Sequence, residues 1–492
     1  MSAVLIRILE VIFSLTLLVF VHELGHFLAA KMFHIRVEKF YIFFDLGFAL
    51  FRWKPKGSET EYGIGWLPLG GYCKIAGMVD ESMDKEQMKQ PPQPYEFRSH
   101  PAWQRFIVMI AGVFNNFVMA IILYACVFST WGNQYIKNSD AVYGIATNEL
   151  SYNMGFRDGD RILAFDGVST ENFDNLQVDM ARSQAKTATV LRNGDTLTLQ
   201  IDQKYLPEVL NTPGMFGLAY PFVIASVPDT SWNASAGLQH GDKFVALDGR
   251  PMFIVQTIQA ELQKHRDTSI IVAVARPADT SVVSKPASTR LALSSAPAAT
   301  ASTVAHTSPS DADSASDAIA YSMVAPGDSV FELRLKVDTA GKLCVLLDSD
   351  VNKMFHVTDQ RYDFFTAIPA GATKAWQTCK NYVKELGLIF TPKTKAYKSV
   401  GSFIRIGQVF PATWNWHAFW LLTAWLSIML AVLNIIPIPG LDGGHILFVL
   451  VEMISGKKPS DKFLEIAETI GLIFLVLLMI LAFGNDIRSL FH

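Results

Sequence analysis

Two histidines four residues apart with a glutamate between them, His22-Glu23-Leu24-Gly25-His26, are the residues of this chain best suited to chemistry. On a helix, positions four apart share a face, so both imidazoles can point at one metal ion. Glu23 sits one residue round the helix, within reach of a water on that metal, where a general base belongs. The setting sharpens the pattern. All three side chains lie in an otherwise apolar run, where an ionisable group is costly unless it has a function.

The element that must carry them is a membrane span over about residues 5–30, long enough for a hydrocarbon core of about 30 Å. A cleaved signal peptide does not fit, because no small-x-small site follows the apolar core and the motif occupies that place. Arg7 and Glu10, about one turn apart, are expected to satisfy each other. Composition agrees with a membrane protein carrying a soluble part: of 492 residues, 50% are hydrophobic and only 18% charged. A net charge of −3 without a basic stripe gives no nucleic-acid partner. Cys73, Cys126, Cys344 and Cys379 show no C-x-x-C spacing, so neither a redox motif nor a zinc ribbon is indicated. Cys344 and Cys379 are open to pairing if exported.

Three further spans are read at about 103–130, 416–438 and 466–483. After the first span comes a glycine-rich stretch, Tyr62-Gly63-Ile64-Gly65-Trp66-Leu67-Pro68-Leu69-Gly70-Gly71-Tyr72. It reads as a hairpin or looped strand on a membrane surface, either a plain connection or an exposed edge that pairs with an extended substrate. The second span contains Asn115 and Asn116 beside Gly112. They either pack helices or face a polar site.

The region from about 133 to 405 is soluble and holds a repeat. Gly155, Gly159, Asp160, Ala164, Asp166 and Gly167 recur as Gly237, Gly241, Asp242, Ala246, Asp248 and Gly249. The unit is a Gly-Asp turn, a short strand and an Asp-Gly turn, and it resembles the core of bacterial permuted PDZ domains. In the second copy, residues 277–317 are rich in Ser, Ala, Thr, Pro and Asp and are expected to be disordered. An amphipathic helix on the outer membrane face is expected over about 360–392.

Lys31, Arg36, Lys39, Arg52 and further cations fill the loop after the first span, and Lys457, Lys458 and Lys462 the loop before the fourth. Both loops are therefore expected in the cytoplasm, with the repeat outside. The first and third spans then run the same way and end at one face. The third ends in Asn434-Ile435-Ile436-Pro437-Ile438-Pro439-Gly440-Leu441-Asp442-Gly443-Gly444-His445, which puts Asp442 at the depth of His22 and His26. A carboxylate is an acceptable third zinc ligand, and three protein ligands leave a position for water. His34 and His445 are taken as structural.

Together these residues resemble the site-2 protease family of intramembrane zinc metalloproteases. The resemblance covers nearly the whole chain: the His22–His26 motif, Pro68–Tyr72, the tandem repeat and Asn434–Gly444. It implies one Zn2+ held by His22, His26 and Asp442, with Glu23 as catalytic acid and base. It also implies substrate-binding roles for Asn434, Tyr72, Gly70, Gly71 and Asn116. The expected fold is a polytopic α-helical membrane protein with four transmembrane helices, a membrane-associated β-hairpin and a tandem PDZ-like α+β extracytoplasmic region. Its parts are 1–132 (two spans, the motif and a cytoplasmic β-loop at about 60–75), PDZ-like modules over 133–215 and 216–358, a surface helix and linker over 359–412, and the last two spans over 413–492. The expected location is the bacterial inner membrane, in contact with lipid, with the active site toward the cytoplasm. The expected substrates are single-span membrane proteins, such as an anti-sigma factor already cut by an upstream site-1-type protease, or signal-peptide remnants. Two other readings stand beside it. A non-catalytic scaffold using its PDZ modules has no need of Glu23, and a transporter is opposed by four spans with no duplicated membrane half.

Overall fold

The computed structural model describes residues 2–68, 70–78, 91–192, 194–210, 212, 214–277, 324, 328–389, 391 and 403–490. The chain divides into two compact units, 1–133 with 360–492, and 134–359.

Among the described residues of the first unit, four helices are long and apolar enough to cross a membrane: Ala3–Met32, Ala102–Trp131, Trp416–Ile435 and Lys462–Asp486. Helix α1 (Ala3–Met32) buries Glu10, Ser14, Leu18, His22, His26 and Ala29. That near-perfect spacing of four is one helical face, so the two histidines are directed inward by register alone. The expected pairing of Arg7 with Glu10 is not what holds the arginine, whose Nε donates to the Phe410 carbonyl at 3.0 Å.

Four strands follow α1: β1 (Val37–Ile42), β2 (Phe44–Trp53), β3 (Glu61–Leu67) and β4 (Tyr72–Ile75). They form one sheet in the order β2-β3-β1-β4. The glycine-rich stretch is thus part of something larger than a hairpin. β3 pairs with β1 in parallel and with β2 antiparallel, so Gly63–Leu67 is interior, and only β4 and β2 are edges. The glycines explain the close pairing. A Cβ on Gly63 would strike the Tyr41 ring, and one on Gly65 the Phe44 carbonyl group. Leu46, Phe48, Leu50, Trp53 and Trp66 leave an exposed apolar surface on this sheet.

Helix α2 (Ala102–Trp131) presents Val108, Gly112 and Asn116 on one buried face. It meets α1 closely, since a Cβ on Gly25 would lie 2.9 Å from Gly112 Cα and 2.7 Å from the Ala111 carbonyl carbon. Helix α3 (Phe364–Ile389) packs its buried Ala367, Gly371 and Ala375 into a cluster with Ala120, Tyr124 and Ala125 of α2. Helix α4 (Trp416–Ile435) ends before Pro437, and a new helix, α5 (Asp442–Ser455), opens on Asp442. Helix α6 (Asp461–Leu490) contains the fourth span.

Among the described residues, the second unit holds two small hydrophobic clusters and two large ones. One has a three-stranded sheet of Arg161–Phe165, Thr187–Arg192 and Asp195–Gln200 with the helix Leu176–Ser183. The other has a four-stranded sheet that includes Lys243–Leu247, Ser269–Arg276 and Ser329–Lys336, with the helix Val255–Leu262. The repeated Asp-Gly pairs make matching turns, with φ of 48° and 79° at Asp166 and Gly167 and 47° and 76° at Asp248 and Gly249. Two positive φ values in succession are what a type I′ hairpin turn requires. The repeated Gly-Asp turn hides an ion pair: fully buried Asp160 and Asp242 bind Arg192 and Arg276, each at 2.7 Å. The expected disordered insertion lies, apart from Pro277, outside the described residues. The strands on its two sides pair directly, Arg276 against Ser329, so it joins neighbouring antiparallel strands without interrupting their sheet. All four cysteines are free thiols.

Candidate metal and catalytic site

The inward face of α1 brings His22 and His26 together, with their Nε2 atoms 3.2 Å apart. The break between α4 and α5 supplies the third group. Asp442 Oδ2 lies 3.0 Å from His22 Nε2 and 3.3 Å from His26 Nε2. Glycines make that approach possible. A Cβ on Gly443 would strike the Ile436 carbonyl, one on Gly444 would come within 2.7 Å of the Ile438 carbonyl, and Gly440 turns with φ of 90°.

Among the described residues this is the one cluster of at least three His, Cys, Asp or Glu groups able to hold a metal, its ligand atoms all within 4.8 Å of one another. The donor chemistry fits a cation. His26 Nδ1 lies 2.8 Å from the Val108 carbonyl, which can only accept, so Nδ1 carries the proton and Nε2 presents a lone pair. Asp442 Oδ2, also an acceptor, is buried with no other hydrogen-bond partner. Acceptor atoms converging at this depth need a positive charge among them, and the set of two imidazoles and one carboxylate suits zinc with a position left open.

Glu23 lines a narrow cleft together with Tyr41, Ile42, Gly70 and Gly71. The structure thereby brings the expected base and two of the expected substrate-loop glycines to one opening. Asn434 lies beside the ligands, its Nδ2 at 3.3 Å from His22 Nε2. Tyr72 is spent on the sheet: its hydroxyl donates to Asp45 at 2.8 Å and its ring stacks on Tyr41 and Phe44. Burial opposes ionisation of Asp45, but the hydrogen bonds from Tyr72 and Lys39 outweigh it and hold the carboxyl below its ordinary range. The two asparagines separate. Asn115 Nδ2 donates to the Val21 carbonyl at 3.3 Å, as helix-packing glue, while Asn116 is fully enclosed against His22 Nδ1 at 3.2 Å. His445, one turn beyond Asp442, lies 3.3 Å from Glu468, and His34 ends α1 with φ of 61°.

Val108 and Gly112 were not singled out as site residues by sequence. Val108 contributes only its carbonyl, for which side-chain type gives no signal. Gly112 carried one, at i−4 from Asn116 on the same face. A Cβ there would overlap His26 Nε2 and lie 2.8 Å from His22 Cε1. Gly112→Ala is therefore expected to push both imidazoles out of the arrangement in which they meet Asp442. Misplacement of about 1 Å costs about a hundredfold in rate, so the variant should lose bound zinc by elemental analysis and about a hundredfold in cleavage rate. Parental zinc content would contradict this.

The model of peptidase family M50 matches residues 10–478. The regulator of sigma-E protease RseP of Escherichia coli (strain K12) is 28% identical over 494 residues, covering 97% of this chain and 98% of that protein. Protease RseP of Yersinia pestis is 27% identical over 508 residues, covering all of both chains. With the match running from the first apolar helix into the last, the chain belongs to peptidase family M50, the site-2 protease family of membrane zinc metalloproteases.

Proposed function

We propose that the chain hydrolyses a peptide bond of single-span membrane proteins inside the bilayer, with one zinc ion held by His22, His26 and Asp442. The observation that carries this reading is the meeting of Asp442 Oδ2 with both Nε2 atoms on the buried face of a candidate span, with Glu23 of the same helix lining a cleft. Bound there, zinc supplies Lewis acidity and a more acidic water.

The chain's own groups then have definite tasks. Glu23 takes the proton of the attacking water and returns it to the amine that leaves. Asn434 steadies the scissile carbonyl from the end of α4. A helical substrate hides its carbonyls in its own hydrogen bonds and must unwind to react. Gly70 and Gly71, with no side chains in the cleft, let the extended strand come close to Glu23, and Tyr72 holds the edge strand β4 through Asp45. The exposed apolar surface of the sheet suits lipid contact. The modules over 133–215 and 216–358 act outside the inner membrane as a filter admitting proteins already shortened by a site-1-type protease. An anti-sigma factor or a signal-peptide remnant fits that description.

The test is reconstitution of the full chain in vesicles with a single-span substrate. Cleavage within the span should disappear on dialysis against a strong chelator and return with one equivalent of zinc. Undiminished cleavage after complete zinc removal refutes the metal assignment. No cleavage of any single-span protein by the zinc-loaded chain favours a scaffold.

A further inference from the structure

We propose that Asn116 is a positioning residue of the metal site: its side-chain oxygen accepts the Nδ1 proton of His22 and keeps that ring's Nε2 lone pair aimed at the ion. This deepens the zinc reading above and rests on it.

His26 shows what the site requires. Its Nδ1 proton goes to the Val108 carbonyl at 2.8 Å, which fixes the tautomer and frees Nε2. His22 needs the same tautomer, and its Nδ1 needs an acceptor of its own. The group that stands there is the Asn116 amide, whose nitrogen is placed 3.2 Å away. An amide nitrogen only donates. Facing it, Nδ1 would hold the lone pair and the proton would sit on Nε2, 3.0 Å from Asp442 Oδ2, in the space an ion must take. In that placement the Asn116 oxygen is also buried without a hydrogen-bond partner. Half a turn of the amide exchanges two atoms of nearly equal size. It gives the oxygen a partner and restores the ligand tautomer.

The framework supports this role. Asn116 is fully buried, eight residues from Val108 along the same buried face of α2, so one helix serves the outer nitrogens of both rings. Gly112, midway, leaves room for the rings themselves. The Ser427 hydroxyl donates to the backbone carbonyl of Asn116 at 2.7 Å, tying this point of α2 to α4, the helix that leads to Asp442. The enclosed position suits orienting His22 and not touching a substrate.

The experiment compares Asn116→Asp, which keeps an acceptor, with Asn116→Leu, which keeps the bulk and loses it. Zinc affinity of the full chain in detergent is measured by competition with a chelating dye, and the ligand field by visible absorption of the cobalt-loaded protein. Outer-shell partners of ligating histidines are worth about 10- to 100-fold in metal affinity. The leucine variant should lose that much and show altered cobalt bands, while the aspartate variant stays within a few-fold of the parent. Equal affinity of parent and leucine variant, or equal loss in both variants, overturns the proposal. If the leucine variant does not fold, Asn116→Ala takes its place in the comparison. A parent chain that binds no zinc overturns the metal reading itself, which separates the two failures.

Discussion

Glu23→Gln is expected to abolish peptide cleavage and to leave zinc bound. Glutamine matches glutamate in size and keeps a hydrogen-bonding group at the cleft, but it cannot take a proton from water or hand one to a leaving amine. A positioned acid or base is worth about 10²–10⁴-fold, equivalent to about 3–5 kcal/mol of barrier at 1.36 kcal/mol per decade. Glu23 is asked to serve both proton transfers, so the loss should lie at the upper end. Zinc content should not move, because Glu23 is not among the three groups whose ligand atoms converge. Cleavage in vesicles and elemental analysis of the same preparation check both halves. A variant that cleaves at the parental rate removes Glu23 from the mechanism. One that has lost its zinc shows that the glutamate helps to hold the ion.

Much of this site is legible in the sequence because helical register is. A spacing of four places His22 and His26 on one face whatever the rest of the chain does, and the parity of the spans puts the end of α4 at their depth. What periodicity cannot give is the path of an irregular segment. Asp442 opens a helix of 14 residues that was not expected, an apolar stretch too short to cross a bilayer and lying just after a proline-glycine break. The sheet was half legible for a similar reason. The glycines of β3 were visible, but β1 inserts between β3 and β4, and strand order depends on contacts that no local pattern encodes. The repeated aspartates Asp160 and Asp242 stood out, while their partners Arg192 and Arg276 lie on later strands and are found only in space.

Asp442→Asn should empty the metal site. The substitution keeps the shape that Gly443 and Gly444 accommodate, so α5 can still form, but it removes the only carboxylate among the three ligands. Two consequences follow from charge. The remaining ligands are neutral, so the cation loses the only counterion among the groups that hold it. The amide can also present its nitrogen, a donor, to the lone pairs of His22 and His26, which competes with the ion for the same space. Loss of a ligand should exceed the roughly 10- to 100-fold effect of losing an outer-shell partner. Zinc should therefore be absent after purification, and cleavage should fall to background, returning in part only at high added zinc. That partial return distinguishes this variant from Glu23→Gln, whose defect no amount of zinc repairs. Asp442→Glu sharpens the comparison by keeping the charge and moving it by one methylene. If the asparagine variant holds stoichiometric zinc with parental affinity, Asp442 is not a ligand, and the distances of 3.0 and 3.3 Å to the histidines reflect an ion pair alone.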